Sequence, residues 1–465
     1  MSVPTRRRSA AVVGGVAAAL LLAACSSSGG TTTSTSPTAS SSSTVSVDPA
    51  CADYAAYGSL PGKKVTIFTS ILPPEQQKYE ASWAQFEKCT GIDVVYEGSD
   101  QFEAQLPTRI AGGNAPDIAF IPQPGLLQKL VAKGGPVAAP ATVTANIDKF
   151  WNPAWKAYGT VDGTVYAAPL SANMKSFVWY SPATFKTKGY TIPTTWDELF
   201  ALSDKMVADG IKPWCGGIES GGATGWLATD WLEQIVLRTQ GGDVYDQWVS
   251  HAVKFDSPQI TEAMDTVAGW MKNDKYVNAG IGDVKTIATT AFQEGGKPIL
   301  VSQGAKCGMY QQASFYAAQW DTFQKGAKVA EDGDAYAFYL PGIKSDIPTP
   351  IVGGGEFVTA FADRPEVQAF QTYLASDTFA TLKVEQGGWV SANSGVPATA
   401  YKDTISTLAA KYLTDPAATF RFDASDLMPA AVGAGAEWKQ MTAWFGEGKP
   451  TQEVLAAIDA AWPAS

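Results

Sequence analysis

The chain has 465 residues, 45% of them hydrophobic, with 34 Lys and Arg against 45 Asp and Glu, five cysteines and one histidine. Its formal charge of −11 becomes about −14 once the first 24 residues, which hold three arginines and no acid, are set aside. So acidic a balance excludes a nucleic-acid binder, which needs basic patches, and argues against adhesion to anionic lipid through the protein surface.

Arg6, Arg7 and Arg8 precede an apolar run from Ala10 to Ala24, the charge-then-apolar order of an export signal, and one too short to span a bilayer. Leu22-Ala23-Ala24-Cys25 resembles the bacterial lipobox, in which the cysteine is acylated and becomes the mature N-terminus. Residues 1–24 are therefore expected to be a signal peptide. The alternatives are plain secretion after a cut at Ala24, or twin-arginine export. From Ser26 to Ser46, 16 of 21 residues are Ser or Thr; with almost nothing to bury, residues 25–50 read as a lipidated cysteine and a disordered tether. Setting Cys25 aside leaves Cys51, Cys89, Cys215 and Cys307, an even number in an exported chain, which three pairings can satisfy. Cys51–Cys89 and Cys215–Cys307 are favoured, because the first brackets one strand–helix unit and each bond stays local to one region. Scattered cysteines and a lone His251 give no metal-ligand spacing, so neither a metal nor another cofactor is expected.

Past the tether, VTIFTS (65–70) reads as a buried strand. The next segment, PPEQQKYEASWAQFEKCTG, reads as a helix with Tyr79, Trp83 and Phe86 on one face and Gly91 as its stop. IDVVYEG returns to strand, and this strand–helix–strand spacing implies parallel pairing with a right-handed crossover. A helix over 101–111 and a strand DIAFIP (117–122) extend an open α/β sheet. VYAAPLS and SFVWYS read as strands. IPTTWDELFALSDKMVADG then opens on a capping box, Thr195 with Glu198, above an apolar stripe of Leu199, Leu202 and Met206. DSPQITEAMDTVAGWMK repeats the pattern, with Ser257 as cap and Pro258 in the first turn. KPILVS, DAYAFYL and EFVTAF are further strand candidates, and a helix is predicted from about Gln452 to Trp462.

Five stretches carry a resemblance: GGNAPDIAFIPQPG (112–125), GTVYAAPLSANMKSFVWYSPATF (163–185), IPTTWDELFALSDKM (192–206), GIESGGATGWLATDW (217–231) and IVGGGEFVTAF (351–361). In this order, after a lipobox, they resemble the extracellular solute-binding proteins of bacterial ABC importers, the carbohydrate-binding group related to maltose-binding protein. With FRFDASDLMP (420–429), the fourth and fifth look most like the subgroup that captures α-glucosides such as trehalose, sucrose or maltose. The resemblance implies an α/β, two-lobed periplasmic-binding-protein-like fold of the class II type, with ligand held between lobes joined by crossing segments. The expected lobes are 58–165 plus about 300–345, and 166–299 plus about 346–465. It also implies a monomer that delivers a carbohydrate to ABC permease subunits and touches the membrane only through its lipid.

Ligands of open α/β sheets bind beyond the carboxyl ends of strands and at helix N-termini, which selects Ser70 and Gln123. Asp117, ahead of its strand, reads as structural. Asn173, with Lys175 beside it, lies near the expected lobe crossing. ESGGATGWLATDW places Trp226 and Asp230 in the first turns of a helix, an aromatic platform beside a carboxylate, which is the pair a sugar needs. GGGEF offers Gly355 for close backbone approach and Glu356 as an acceptor of hydroxyl hydrogen bonds. Trp389 is a second platform. Arg421 completes the site or pairs with Asp423, which reads as structural. An exported glycoside hydrolase is the rival class, since paired carboxyls serve hydrolysis too, but spacing along a chain does not establish their separation. A binding protein for a non-sugar solute is a further alternative.

Overall fold

The computed structural model describes residues 48–463; the export segment, Cys25 and the Ser/Thr-rich stretch lie outside the described residues. In chain order, the first half of the body runs β1 (Lys64–Thr69), α1 (Glu75–Thr90), β2 (Asp93–Gly98), α2 (Phe102–Ala111), β3 (Ile118–Ile121), α3 (Pro124–Val131), β4 (Ala167–Pro169), β5 (Asn173–Met174) and β6 (Phe177–Tyr180). It continues through α4 (Trp196–Ala208), β7 (Lys212–Trp214), α5 (Trp226–Val249), α6 (Pro258–Met271), β8 (Cys307–Gln311) and β9 (Tyr336–Tyr339). The remainder is β10 (Pro350–Gly354), β11 (Phe357–Ala360), α7 (Pro365–Leu374), α8 (Asp377–Glu385), β12 (Thr419–Phe422), α9 (Trp438–Gly446) and α10 (Thr451–Asp459).

One sheet has the order β2-β1-β3-β11-β4, with β1 parallel to both β2 and β3, and β11 antiparallel to β3 and β4. The crossover helix α1 covers it with Tyr79, Trp83 and Phe86, each at most 1% exposed. It ends where Gly91 takes a left-handed conformation (φ 75°) and its N–H reaches the Glu87 carbonyl. A second sheet, β9-β6-β8-β7, belongs to a separate core. There α4 starts on the Thr195–Glu198 capping box with both of its reciprocal hydrogen bonds. The helix α5 threads this core and is buried along most of its length, which is why it carries apolar residues on nearly every face. A third, small sheet, β12-β10-β5, joins the two.

The two cores are assembled from different segments than the expected lobe bounds. Leu300, Tyr310, Trp320 and Leu340 pack in the second core, not the first, while Phe357, Val367, Phe379 and Trp389 pack in the first. The cause is β11, which inserts antiparallel between β3 and β4 and carries α7 and α8 back with it. KPILVS forms two short 3-10 turns, Lys297–Ile299 and Val301–Gln303, in place of a strand; Pro298 lacks the N–H a ladder requires. The disulfides are Cys51–Cys89 and Cys215–Cys307, with Cα separations of 5.3 and 5.8 Å. Among the described residues no helix is long and apolar enough to cross a membrane.

Candidate functional site

Between the two cores lies a cavity of about 270 Å³, close to the lower end of small-molecule pockets, roughly 300–1,000 Å³. Its floor is made where the chain passes from one core to the other. β4 in the first sheet leads into β5 in the small sheet, and β10 in the small sheet leads into β11 in the first. These passages are tied together by Leu170 N–H donating to the Glu356 carbonyl (2.8 Å), Glu356 N–H donating to Ser171 Oγ (3.0 Å) and Ser171 Oγ–H donating to the Glu356 carboxylate. Gly355 sits at the closest approach, where a Cβ would meet the Ser171 carbonyl oxygen at 2.1 Å. Only glycine fits there.

From the first half, Ser70 follows β1, Glu75 opens α1, Glu103 lies in the first turn of α2, and Gln123 is the N-cap of α3; all four line the cavity. From the second half come Glu219, Trp226, Phe292, Phe315 and Trp438. The floor contributes Asn173, Lys175, Gly355, Glu356, Asp423 and Asp426. Six of the residues selected by sequence thus meet at one cavity: Ser70, Gln123, Asn173, Trp226, Gly355 and Glu356.

Three others do not. Asp230 is 1% exposed and sits behind Lys175, accepting from its Nζ at 2.9 Å, so it supports the cavity wall without lining it. Trp389 is 2% exposed; its ring packs edge-on against Tyr79 and Phe379 in the first core, and its Nε1–H is satisfied by Tyr79 Oη at 3.1 Å. Arg421 pairs with Asp246 at 2.7 Å, because the alternation of β12 buries Phe422 and turns Arg421 away from the site. Asp423 pairs with Lys175, not Arg421, and reaches the cavity. Asp117 accepts from Thr66 N–H and pairs with Arg364, both at 2.9 Å, outside the cavity.

Lys175 organises the floor. Its ammonium is bonded to Asp230 and Asp423 and stands 5.2 Å from the centroid of the Trp226 ring, which Phe292 meets edge-on at 5.1 Å. Burial alone would disfavour this charge, but Asp230, Asp423, Asp426 and Glu233 outweigh it and hold the lysine pKa well above the ordinary value. Asp230, Glu233 and Asp423 bring carboxylate oxygens within 4.8 Å of one another, a spacing a metal ion accepts, yet Lys175 already bonds two of the three.

Burial pushes the carboxyls of Glu75 and Glu103 up, and burial together with the Glu75 charge pushes Glu356 to about 8. A carboxyl whose pKa is raised on folding binds its proton more tightly in the folded state. Its destabilising effect is complete above the folded pKa, shrinks as pH falls through that value, and vanishes below the unfolded one. For Glu356 that window runs from about 8 down to the ordinary carboxylate range. Unfolding free energy measured in urea should therefore rise as pH is lowered from 8 to 5.5, by at most about 1.4 kcal/mol per pH unit for each such group. Glu356→Gln should flatten the slope, and a slope of opposite sign would refute this ionisation pattern.

Glu103, Glu219, Phe292, Phe315 and Trp438 were not selected by sequence. Glu103 carried a usable signal, an acid in the first turn of a predicted helix at the same sheet edge as Ser70. Phe292 and Phe315 lie in short irregular turns, where no periodicity marks a facing side.

The fold is that of a two-lobed α/β binding protein with its site in the cleft. Residues 72–379 match the family model described as bacterial extracellular solute-binding protein, and the chain belongs to that family. It is 36% identical over 420 residues to the osmoprotective compounds-binding protein GgtB of Synechocystis sp., covering 89% of this chain and 96% of that one. It is 35% identical over 417 residues to the alpha-glucosides-binding periplasmic protein AglE of Rhizobium meliloti, covering 87% and 88%. Among solved structures, the bacterial solute receptor AcbH superposes with a TM-score of 0.71 at 19% identity, over 86% of this chain and 97% of that one. The family is one of binding proteins, not enzymes.

Proposed function

We propose that this chain is the extracytoplasmic receptor of an ABC importer, held to the membrane by a lipid on Cys25, and that it captures an α-glucoside such as trehalose, sucrose or maltose for delivery to its permease. The observation that carries the reading is the cavity itself: the Trp226 ring, backed by Phe292, faces a floor of preorganised acceptors. A pyranose presents a C–H face to an aromatic ring and hydroxyls at its rim. Water satisfies those hydroxyls equally well, so a receptor must hold its acceptors in place before the sugar arrives. Ser171, bonded to both the backbone and the carboxylate of Glu356, does this for the floor.

Ligand bridging the two halves favours their closed arrangement by its differential affinity, and the permease can then tell loaded from empty receptor. The two relatives named for osmoprotective compounds and for alpha-glucosides support a small hydroxyl-rich ligand. The anchor rests on Leu22-Ala23-Ala24-Cys25; Cys25→Ser should release the protein into the medium.

Calorimetry with trehalose, sucrose and maltose tests the reading. One of them should bind with a Kd of about 1 μM, equivalent to roughly −8 kcal/mol, and the mixture should contain no cleavage products. Hydrolysis would point to a glycosidase, and no heat from any glucoside would remove this ligand class. Trp226→Ala should weaken binding at least tenfold while moving the melting temperature little, because the ring is only half-buried. A large fall in melting temperature would instead mark Trp226 as structural.

A further inference from the structure

The charge on the cavity wall is lopsided. Seven acidic side chains line it against one ammonium, Lys175; Glu356, pushed up to about 8, is mostly protonated at pH 7, and the ammonium is committed to Asp230 and Asp423. Glu103 and Gln123 lie together on the wall of the first half, and Asp426 lies on the floor where its main chain packs against α3. Gln123 donates its Nε2–H to Glu103 Oε1 at 3.1 Å, and the Asp426 carbonyl would stand 3.3 Å from a Cβ at Gly125, the second residue of α3.

The bond to Glu103 fixes the Gln123 amide, since a carboxylate only accepts, and so leaves Gln123 Oε1 as an acceptor in need of a donor. That oxygen is buried and has no hydrogen-bond partner on a side chain 4% exposed. An unmet acceptor beside a carboxylate calls for a group with several donors and a positive charge. A hydroxyl offers one donor and no charge, whereas an ammonium offers three donors and a full one. The aromatic side is compatible, since Trp226 already accepts a cation near its ring in Lys175.

We infer that the ligand of this cavity bears a protonated amine seated against Glu103, Asp426 and the free oxygen of Gln123, making it an amino-substituted glycoside. The inference rests on the carbohydrate reading above and narrows it. A neutral sugar would leave Glu103 desolvated without a counter-charge when water is shut out; the ammonium supplies that charge and meets the unsatisfied acceptor.

The test is a matched set of calorimetric titrations on the full chain, pairing glucose with glucosamine and trehalose with 6-amino-6-deoxytrehalose. At pH 7 at least one amino member should bind tenfold or more tightly than its neutral partner. Glu103→Gln should shrink that ratio below threefold, with Asp426→Asn as a second variant and thermal melting as the check that both fold. If a neutral sugar binds as tightly as its amino partner, this inference fails and the carbohydrate reading stands. If the ratio survives both substitutions, the assignment of the amine to this corner is overturned. If no member of either pair binds, the inference and the carbohydrate reading fail together.

Discussion

Lys175→Met should destabilise the protein by about 3–5 kcal/mol, the usual consequence of removing one partner from a buried charge cluster. Lys175 is 8% exposed, and its ammonium is bonded to two aspartates that are each 1% exposed. Methionine fills a similar volume, so the loss would reflect Asp230 and Asp423 left buried without their cation. Urea unfolding at pH 7 should show the midpoint fall with little change in slope. The deficit should narrow at pH 5, where the abandoned carboxyls take up protons. The double variant Lys175→Met, Asp230→Asn should recover part of it, because neighbours in one network are not additive. A loss under about 1 kcal/mol would mean the pair is dispensable, as exposed ion pairs are.

Gly355→Ala should cost about 1–3 kcal/mol through overpacking and weaken ligand binding at least tenfold. The new methyl would lie 2.1 Å from a backbone oxygen of Ser171 and 3.0 Å from the Trp155 ring. No rotamer change relieves a contact with main chain, so the two passages across the floor must separate, and the Glu356 carboxyl that Ser171 holds goes with them. Measuring affinity and unfolding on the same variant distinguishes a displaced floor from a merely weakened body. Unchanged affinity would show that the floor geometry does not set binding.

Much of this architecture was legible because local chemistry and global fold agree. The alternation over residues 64–121 needs no distant partner to be recognised, and the Thr195–Glu198 box is a short-range device that the folded chain keeps. Ser70 and Gln123 were found by the same route, since a strand's carboxyl end is defined once the strand is. Trp226 and Trp389 show where such reasoning stops. Both follow glycines, yet one reaches the cavity and the other fills a gap against Tyr79 and Phe379. That difference is decided by which core each segment joins, and the return of α7 and α8 with β11 to the first core leaves no local mark. Arg421 and Asp423 were separable only by knowing that Asp246 stands within reach of the first and Lys175 within reach of the second.

The two disulfides carry a consequence for mechanics. Cys51–Cys89 fastens the chain's entry segment to α1 inside one half, and Cys215–Cys307 fastens β7 to β8 inside the other. Neither bond spans the gap between the halves. Each half is riveted internally, and among the described residues no disulfide joins one half to the other, so oxidation hardens both jaws without locking them together.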